Sequence, residues 1–433
     1  MSFTLADGFK VALILAAIPL VMLAVGRLGK RFGWDAEVNR KLVHVATGCL
    51  ALTFPLLFSN PLPVLILLAI AILFMFVIRS GLLGGLGSAL HGVERQSYGE
   101  IYLALAIAVT FIRAEEHPML YVLPILVITL SDTAAALVGT VYGRRRFPVE
   151  GGAKSIEGVV VFFIVTWLAS LIVLVLMTSA APLNLVLISM LIAAFCALVE
   201  VDSWRGLDNL FVPVGAFLLL SSHLDSSPLD LVFSTGVFLA FLVVLLLLAP
   251  TLKLSEQAAR ANAILLFLII SIVSLHNVIL PTLTIVAYLA ARTLRPCDSK
   301  RPDYDLLFVA AMVSLLWLFV GDAGGRSVIS LFNLTFAGAL VGFLAVAMHK
   351  YWRVLILPAM AAAGWVAWWA AQANMPYSRW FMPSVLEIAA ALIVVVVLPL
   401  LRPEWFASRR SLRIFGLAMI VPSILFLRGV VLQ

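Results

Sequence analysis

The 433-residue chain is a succession of apolar runs separated by short polar segments, and that alternation makes the lipid bilayer the solvent in which it folds. Sixteen runs qualify as candidate spans. The first nine lie near 11–28, 43–58, 62–78, 100–113, 119–141, 158–178, 183–199, 210–221 and 229–249. Seven more follow near 261–276, 278–291, 306–320, 328–347, 353–372, 384–401 and 411–428. Composition agrees: 63% of residues are hydrophobic and 12% charged, about half the charged share of a soluble domain. Soluble, fibrous and disordered classes are excluded. The expected fold is all-α and polytopic, with about 16 transmembrane helices.

Basic residues fall on alternate loops. Arg27, Lys30 and Arg31 follow the first run, Arg144, Arg145 and Arg146 the fifth, Lys253 and Arg260 the ninth, and Arg292 and Arg295 the eleventh. Positive charge marks the cytoplasmic side, so the N-terminus is expected outside. The same distribution explains the net charge of +7 without nucleic acid. The first run meets Gly26-Arg27-Leu28-Gly29-Lys30-Arg31 rather than a small-residue cleavage site, and reads as a retained helix. Compact loops point to a bacterial inner (plasma) membrane. Cys49, Cys196 and Cys297 are too scattered for a disulfide framework or a zinc site.

Chemistry concentrates in the N-terminal half. Residues 1–225 read as one membrane domain, and 226–433 as an additional polytopic domain of unknown role, with few ionisable residues inside its spans. Asp132 sits near the cytoplasmic end of the fifth run, where an unpaired carboxylate costs several kcal/mol. Ala135, Gly139 and Gly143 share its helix face, a spacing that suits either ligand approach or close helix packing. Arg144, Arg145, Arg146 and Lys154 flank glycines in the next loop, as a phosphate site requires and as a positive-inside anchor also provides. Ser155 is placed to cap the next helix, and Glu157 and Gly158 follow it. Glu157 is well placed to share Mg²⁺ with Asp132. Arg40, Lys41 and His44 open the second run, where a lone histidine can equally be a packed residue. Glu200, Asp202, Asp208 and Asn209 form an acidic loop after the seventh run. Such acids are usually just solvated, but three carboxylates facing a basic loop on the same side of the membrane look more like a metal–nucleotide site. The loop 79–99 adds Gly81, Gly84, Gly85 and Gly87 beside His91, Glu94 and Arg95.

Taken in order, these segments resemble the CTP-dependent lipid-alcohol kinases, namely dolichol kinase, phytol and farnesol kinase and the yeast-type diacylglycerol kinase. The matching residues are Arg40, Lys41 and His44; Asp132, Ala135, Gly139 and Gly143; Lys154, Ser155, Glu157 and Gly158; and Ala197, Leu198, Glu200, Asp208, Asn209 and Pro213. They span about residues 35–220. Ala153 departs from the pattern, standing where the kinases often carry the first of two lysines.

The resemblance implies Mg²⁺-dependent transfer of the CTP γ-phosphoryl to a membrane lipid alcohol at the cytoplasmic face. Asp132 and Glu157 would hold the metal. Gly139, Gly143, Arg144, Arg145, Arg146, Lys154, Ser155, Gly158, Asn209, Arg40 and Lys41 would serve the nucleotide, and His44, Glu200 or Asp208 would take the hydroxyl proton. The phosphatidate cytidylyltransferases share the pattern up to Gly158 but continue with a His-Gly-Gly segment that this chain lacks. A transporter or a non-catalytic scaffold is the reading from another class; a transporter should show inverted repeats, and none is evident.

Overall fold

Backbone N–H and C=O groups have no water to bond in hydrocarbon, so the apolar runs must close their hydrogen bonds internally, and each of them falls on a helix. The computed structural model describes residues 3–79, 98–114, 117–149, 152–299, 301–323, 328–348, 350–375 and 382–431. The glycines of the 79–99 loop, with His91, Glu94 and Arg95, lie outside the described residues. The chain divides into two compact units, Met1–Gly236 and Val237–Gln433.

The first unit begins with α1 (Leu5–Phe32), opened by a Thr4–Asp7 capping box and stopped by Gly33 at φ 66°, a left-handed turn that glycine adopts without strain. Then come α2 (Ala36–Leu52), the single turn α3 (Phe54–Leu57), α4 (Pro61–Arg79), α5 (Gly99–Ala114) and α6 (Met119–Val141). Strands β1 (Arg146–Val149) and β2 (Gly152–Ser155) follow, then α7 (Ile156–Met177), α8 (Pro182–Asp202) and α9 (Asp208–His223). Helix α6 is the hub, packed against α2, α7 and α9. Its contact with α2 depends on Gly48, where a Cβ would stand 2.1 Å from Thr129 Oγ1.

Two local features depart from the sequence expectation. The segment after α6, read as a loop, is an antiparallel hairpin pairing Arg146 with Ser155 and Phe147 with Lys154. Apolar Phe147 and Val149 alternate along β1, a period too short to be read reliably from sequence. Helix α8 also runs further than expected, so Glu200 and Asp202 lie on its last turn rather than in a loop. Ser203 Oγ donates to Val199 O at 2.6 Å beyond that turn.

α10 (Pro228–Leu248) carries the chain into the second unit, which continues with α11 (Glu256–Ile272), α12 (Ile279–Leu294), α13 (Pro302–Ala323) and α14 (Ile329–Ala347). It ends with α15 (Ile356–Ala373), α16 (Val385–Leu401) and α17 (Arg410–Val431). Helix α14 is its core and is buried along almost its whole length. Gly338 and Gly342 let α16 and α17 close on it, since a Cβ at Gly342 would lie 2.6 Å from Val395 Cγ1. Between α11 and α12 the helix breaks at a 3₁₀ turn, Leu275–Val278, where Ser274 adopts φ 144°. Asn277 anchors that break by exchanging two amide hydrogen bonds with Asn374, at 2.8 and 3.1 Å.

Among the described residues the chain is thus an all-α membrane protein apart from one hairpin. Among the described residues, ten helices are long and apolar enough to cross a bilayer, and α4 and α16 contribute shorter apolar segments. Several of the sixteen runs are shorter: α2 has 17 residues and α5 and α9 have 16 each. At 1.5 Å per residue these reach about 24–26 Å, short of the roughly 30 Å hydrocarbon core. Replacing Gly342 by Val should push α14 away from α16 and destabilise the second unit by about 1–3 kcal/mol. The loss is to be measured as a lowered thermal midpoint in micelles.

Candidate functional site

Most of the acids and bases singled out in the sequence gather where the first turns of α2 and α9 and the last turn of α8 meet the middle of α6. Lys41, 4% exposed, points from the second turn of α2 to Asp132 on α6, with Nζ 2.6 Å from Oδ1. Asp132 is itself 6% exposed. One turn along α2, His44 Nε2 lies 3.6 Å from Asp132 Oδ2 and 3.3 Å from Ile128 O. The spacing of Lys41 and His44 puts both on the face that meets α6.

A second pair stands beside the first. β2 carries Lys154 to the end of α8, where Nζ donates to Glu200 Oε1 at 2.9 Å and also to the Glu200 carbonyl. Burial works against the Lys154 charge, but the carboxylates of Glu200 and Asp208 outweigh it and hold the ammonium above the usual lysine range. Stabilisation from a raised lysine is complete below its ordinary pKa and is lost only as pH rises through the raised one.

The two pairs converge on three carboxylates. Asp132, Glu200 and Asp208 each offer an oxygen, all within 4.8 Å of one another. Like charges so close require cations, and two lysines do not balance three acids. Glu200 Oε2 is buried without a hydrogen-bond partner. A divalent cation fits this donor set of hard oxygens. Asn209, next to Asp208, fixes the start of α9 by donating to Gly99 O at 2.9 Å, and Tyr98 N–H donates to Arg205 O at 3.1 Å.

Glu157, expected to share a metal with Asp132, is not brought to this cluster. Its carboxylate accepts from the Arg145 N–H at 3.2 and 3.3 Å and so closes the base of the hairpin. The glycines have a packing role. A Cβ at Gly143 would meet Gly139 O at 2.2 Å and Ser155 Cβ at 2.7 Å, and one at Gly158 would meet Ala135 O at 3.0 Å. Gly139 faces Ser155 as well, which is 7% exposed and caps α7 by accepting from Gly158 N–H at 3.1 Å. These residues bring α6 and α7 together and thereby aim the hairpin at α8. Arg144, Arg145 and Arg146 are exposed along it. Arg40 is held by Glu37, 2.7 Å away on the same helix, a partner whose i,i+3 spacing was readable but overlooked.

Fold and site together define a polytopic helical membrane protein with a half-buried triad of carboxylates, two of them paired with lysines, where α6, α8 and α9 meet. Comparison with proteins of known activity is consistent with that class. A phytol kinase of Synechocystis sp. (strain ATCC 27184 / PCC 6803 / Kazusa) is 30% identical over 210 residues, which cover 48% of this chain and 87% of that protein. The chain belongs to a lipid-alcohol kinase family, the one that holds this phytol kinase. No family model and no solved structure matches it.

Removing Lys41 alone leaves Asp132 buried without its cation, which costs about 3–5 kcal/mol. Lys41→Met should therefore unfold at a clearly lower temperature than the parent, and the double variant Lys41→Met/Asp132→Asn should recover much of the loss. Thermal unfolding of the four proteins in micelles completes the cycle.

Proposed function

We propose that the first unit transfers the γ-phosphoryl group of CTP to the hydroxyl of a membrane lipid alcohol, at the cytoplasmic face of a bacterial plasma membrane. The observation that carries this reading is the convergence of Asp132, Glu200 and Asp208 within 4.8 Å between two lysines. The phytol kinase relative makes a long-chain isoprenoid alcohol the first acceptor to test. The nucleotide assignment rests on the motif resemblance.

Mg²⁺ held by the three carboxylates would supply charge stabilisation on the transferring phosphoryl group. The rest of the work belongs to the chain. Lys41 and Lys154 orient Asp132 and Glu200, and their charges favour a polyphosphate over a neutral solute. Exposed Arg144, Arg145 and Arg146 offer guanidinium groups for the nucleotide's outer phosphates. His44 lies within reach of Asp132, and its ring is the group placed to take the hydroxyl proton. Helix ends at a membrane interface suit an acceptor whose chain stays in the hydrocarbon while its hydroxyl reaches the charged cluster. Positive charge on alternate loops supports a cytoplasmic location for this end of the helices.

The test uses purified protein in micelles with γ-labelled CTP and phytol, farnesol, a long polyprenol, diacylglycerol or phosphatidic acid. Label should move to an isoprenoid alcohol and stop moving when divalent cations are chelated. CDP-lipid formed from phosphatidic acid with release of pyrophosphate would overturn the kinase reading. Asp132→Asn, Glu200→Gln and Asp208→Asn should each lower turnover by about a hundredfold or more while the protein still inserts. Glu157→Gln should lose less than about tenfold, because its carboxylate serves the hairpin. Equal losses at Glu157 and Glu200 would return the metal to the pair expected from sequence.

A further inference from the structure

A cavity of about 470 Å³ opens in the first unit, at the opposite end of α7 and α9 from the carboxylate triad. Its wall is built from Met177 and Ser179 at the end of α7, from Asp225 beyond α9, and from His117 before α6. That volume suits a small organic group rather than a bare ion. The turn carrying Asp225 is fixed by its neighbours. Asn184 Nδ2 donates to Ser226 O at 2.9 Å, and His223 Nδ1 lies 3.3 Å from Ser226 Oγ.

The electrostatics of this cavity favour a cation. Asp225 makes no hydrogen bond or ion pair among the described residues, and none of the described residues lining the cavity is a lysine or arginine. In sequence, the connections at this end, 114–118, 178–181 and 224–227, hold Glu115, Glu116 and Asp225, with His117 their one basic side chain. Helices α7 and α9 both end here, so the negative ends of two dipoles add to the carboxylate. The positive end of α6 is met within the chain, where the Leu120 and Tyr121 N–H groups donate to His117 O and Pro118 O at 2.9 and 3.1 Å. Thr178 Oγ1 gives its proton to Leu174 O at 2.7 Å and keeps its lone pairs as acceptors, and Ser179 adds a second hydroxyl. One carboxylate with hydroxyl acceptors matches the donors of an ammonium group, whereas calcium takes about six to eight oxygens. Met119, Met177 and Leu224 supply apolar surface for the carbon chain that bears the ammonium.

We propose that this cavity binds the primary ammonium group of a small organic cation, with Asp225 as its counter-ion. The site is separate from the carboxylate triad and does not depend on the kinase reading. Ammonium at a membrane surface comes from an aminophospholipid headgroup or from a free amine. Full-length protein in maltoside micelles is titrated calorimetrically with dihexanoyl phosphatidylethanolamine, with butylamine and, as a control without ammonium, with dihexanoyl phosphatidylglycerol. At least one ammonium compound should bind and phosphatidylglycerol should not. Tighter binding of the ethanolamine lipid assigns the site to a headgroup, and butylamine binding at least as tightly assigns it to free amines. Asp225→Asn should weaken binding about tenfold, Asp225→Glu should keep most of it, and Ser179→Trp, which fills the cavity, should abolish it. Asp225 and Ser179 are exposed, so these replacements leave the fold intact. Asp132→Asn should bind as the parent does, and the cavity variants should keep whatever phosphoryl transfer the parent shows. Failure of both ammonium compounds to bind, equal binding of phosphatidylglycerol, or unchanged affinity in Asp225→Asn overturns the proposal.

Discussion

Charge inside a low-dielectric medium must be paired, and the 2.6 Å contact between Lys41 and Asp132 is where this protein meets that requirement. The contact brings the second turn of α2 against the middle of α6. It depends on Gly48, two turns further along the same face of α2, which admits the Thr129 side chain. The glycines of α6 and α7 make a second close approach, which sends the chain out through a hairpin and returns Lys154 to α8. Neither lysine could reach its acid without a glycine-mediated approach nearby. Polar chemistry and apolar packing are one arrangement here.

The two lysines also explain why three acids can stand within 4.8 Å of one another. Each lysine neutralises one carboxylate and leaves Asp208, with the free Glu200 Oε2, as the unbalanced part of the cluster. A cation added there completes the charge, and a polyphosphate added next would meet a site close to neutral. The cluster is therefore suited to binding metal and nucleotide together. Phosphoryl transfer asks little more of a protein than that positioning.

Much of this was legible in the sequence, for identifiable reasons. Asp132 was conspicuous because a carboxylate within an apolar run is costly, and Lys41 with His44 because their spacing gives one helix face. Pairing was harder to read. The sequence pairs Glu157, a carboxylate at the membrane edge, with Asp132, whereas Glu200 and Asp208 are the acids that stand within 4.8 Å of it. The hairpin reversed that choice, because Glu157 is held at its base by the Arg145 N–H while Lys154, three residues earlier, reaches α8. Four-residue strands leave too weak a periodic signal for that turn to be foreseen. The glycines illustrate a different limit. Small residues at four-residue spacing serve ligand approach and helix packing equally well on paper, and only the Ser155 side chain filling the space beside Gly139, Gly143 and Gly158 decides between them.

The second unit obeys the same rule with different residues. Its deeply buried α14 carries no charge, and its interior polarity is amide rather than ionic: Asn277 accepts from Asn333 and Asn374 at 2.6 and 2.8 Å. Neutral amides bonded to one another avoid the desolvation penalty of ion pairs, so this bundle can close without the counter-ions that the first unit requires. Full charges appear instead at its helix ends, where Arg292 meets Asp303 and Arg428 meets Glu387 at 2.7 Å. Arg410 is the exception: deeply buried, charged, and bonded only to carbonyl oxygens. In the first unit, unbalanced negative charge marks the place where a cation fits. At the head of α17 the positive charge is met by backbone instead, because the Arg410 guanidinium donates to carbonyls at the C-terminal end of α12, the negative end of that helix's dipole.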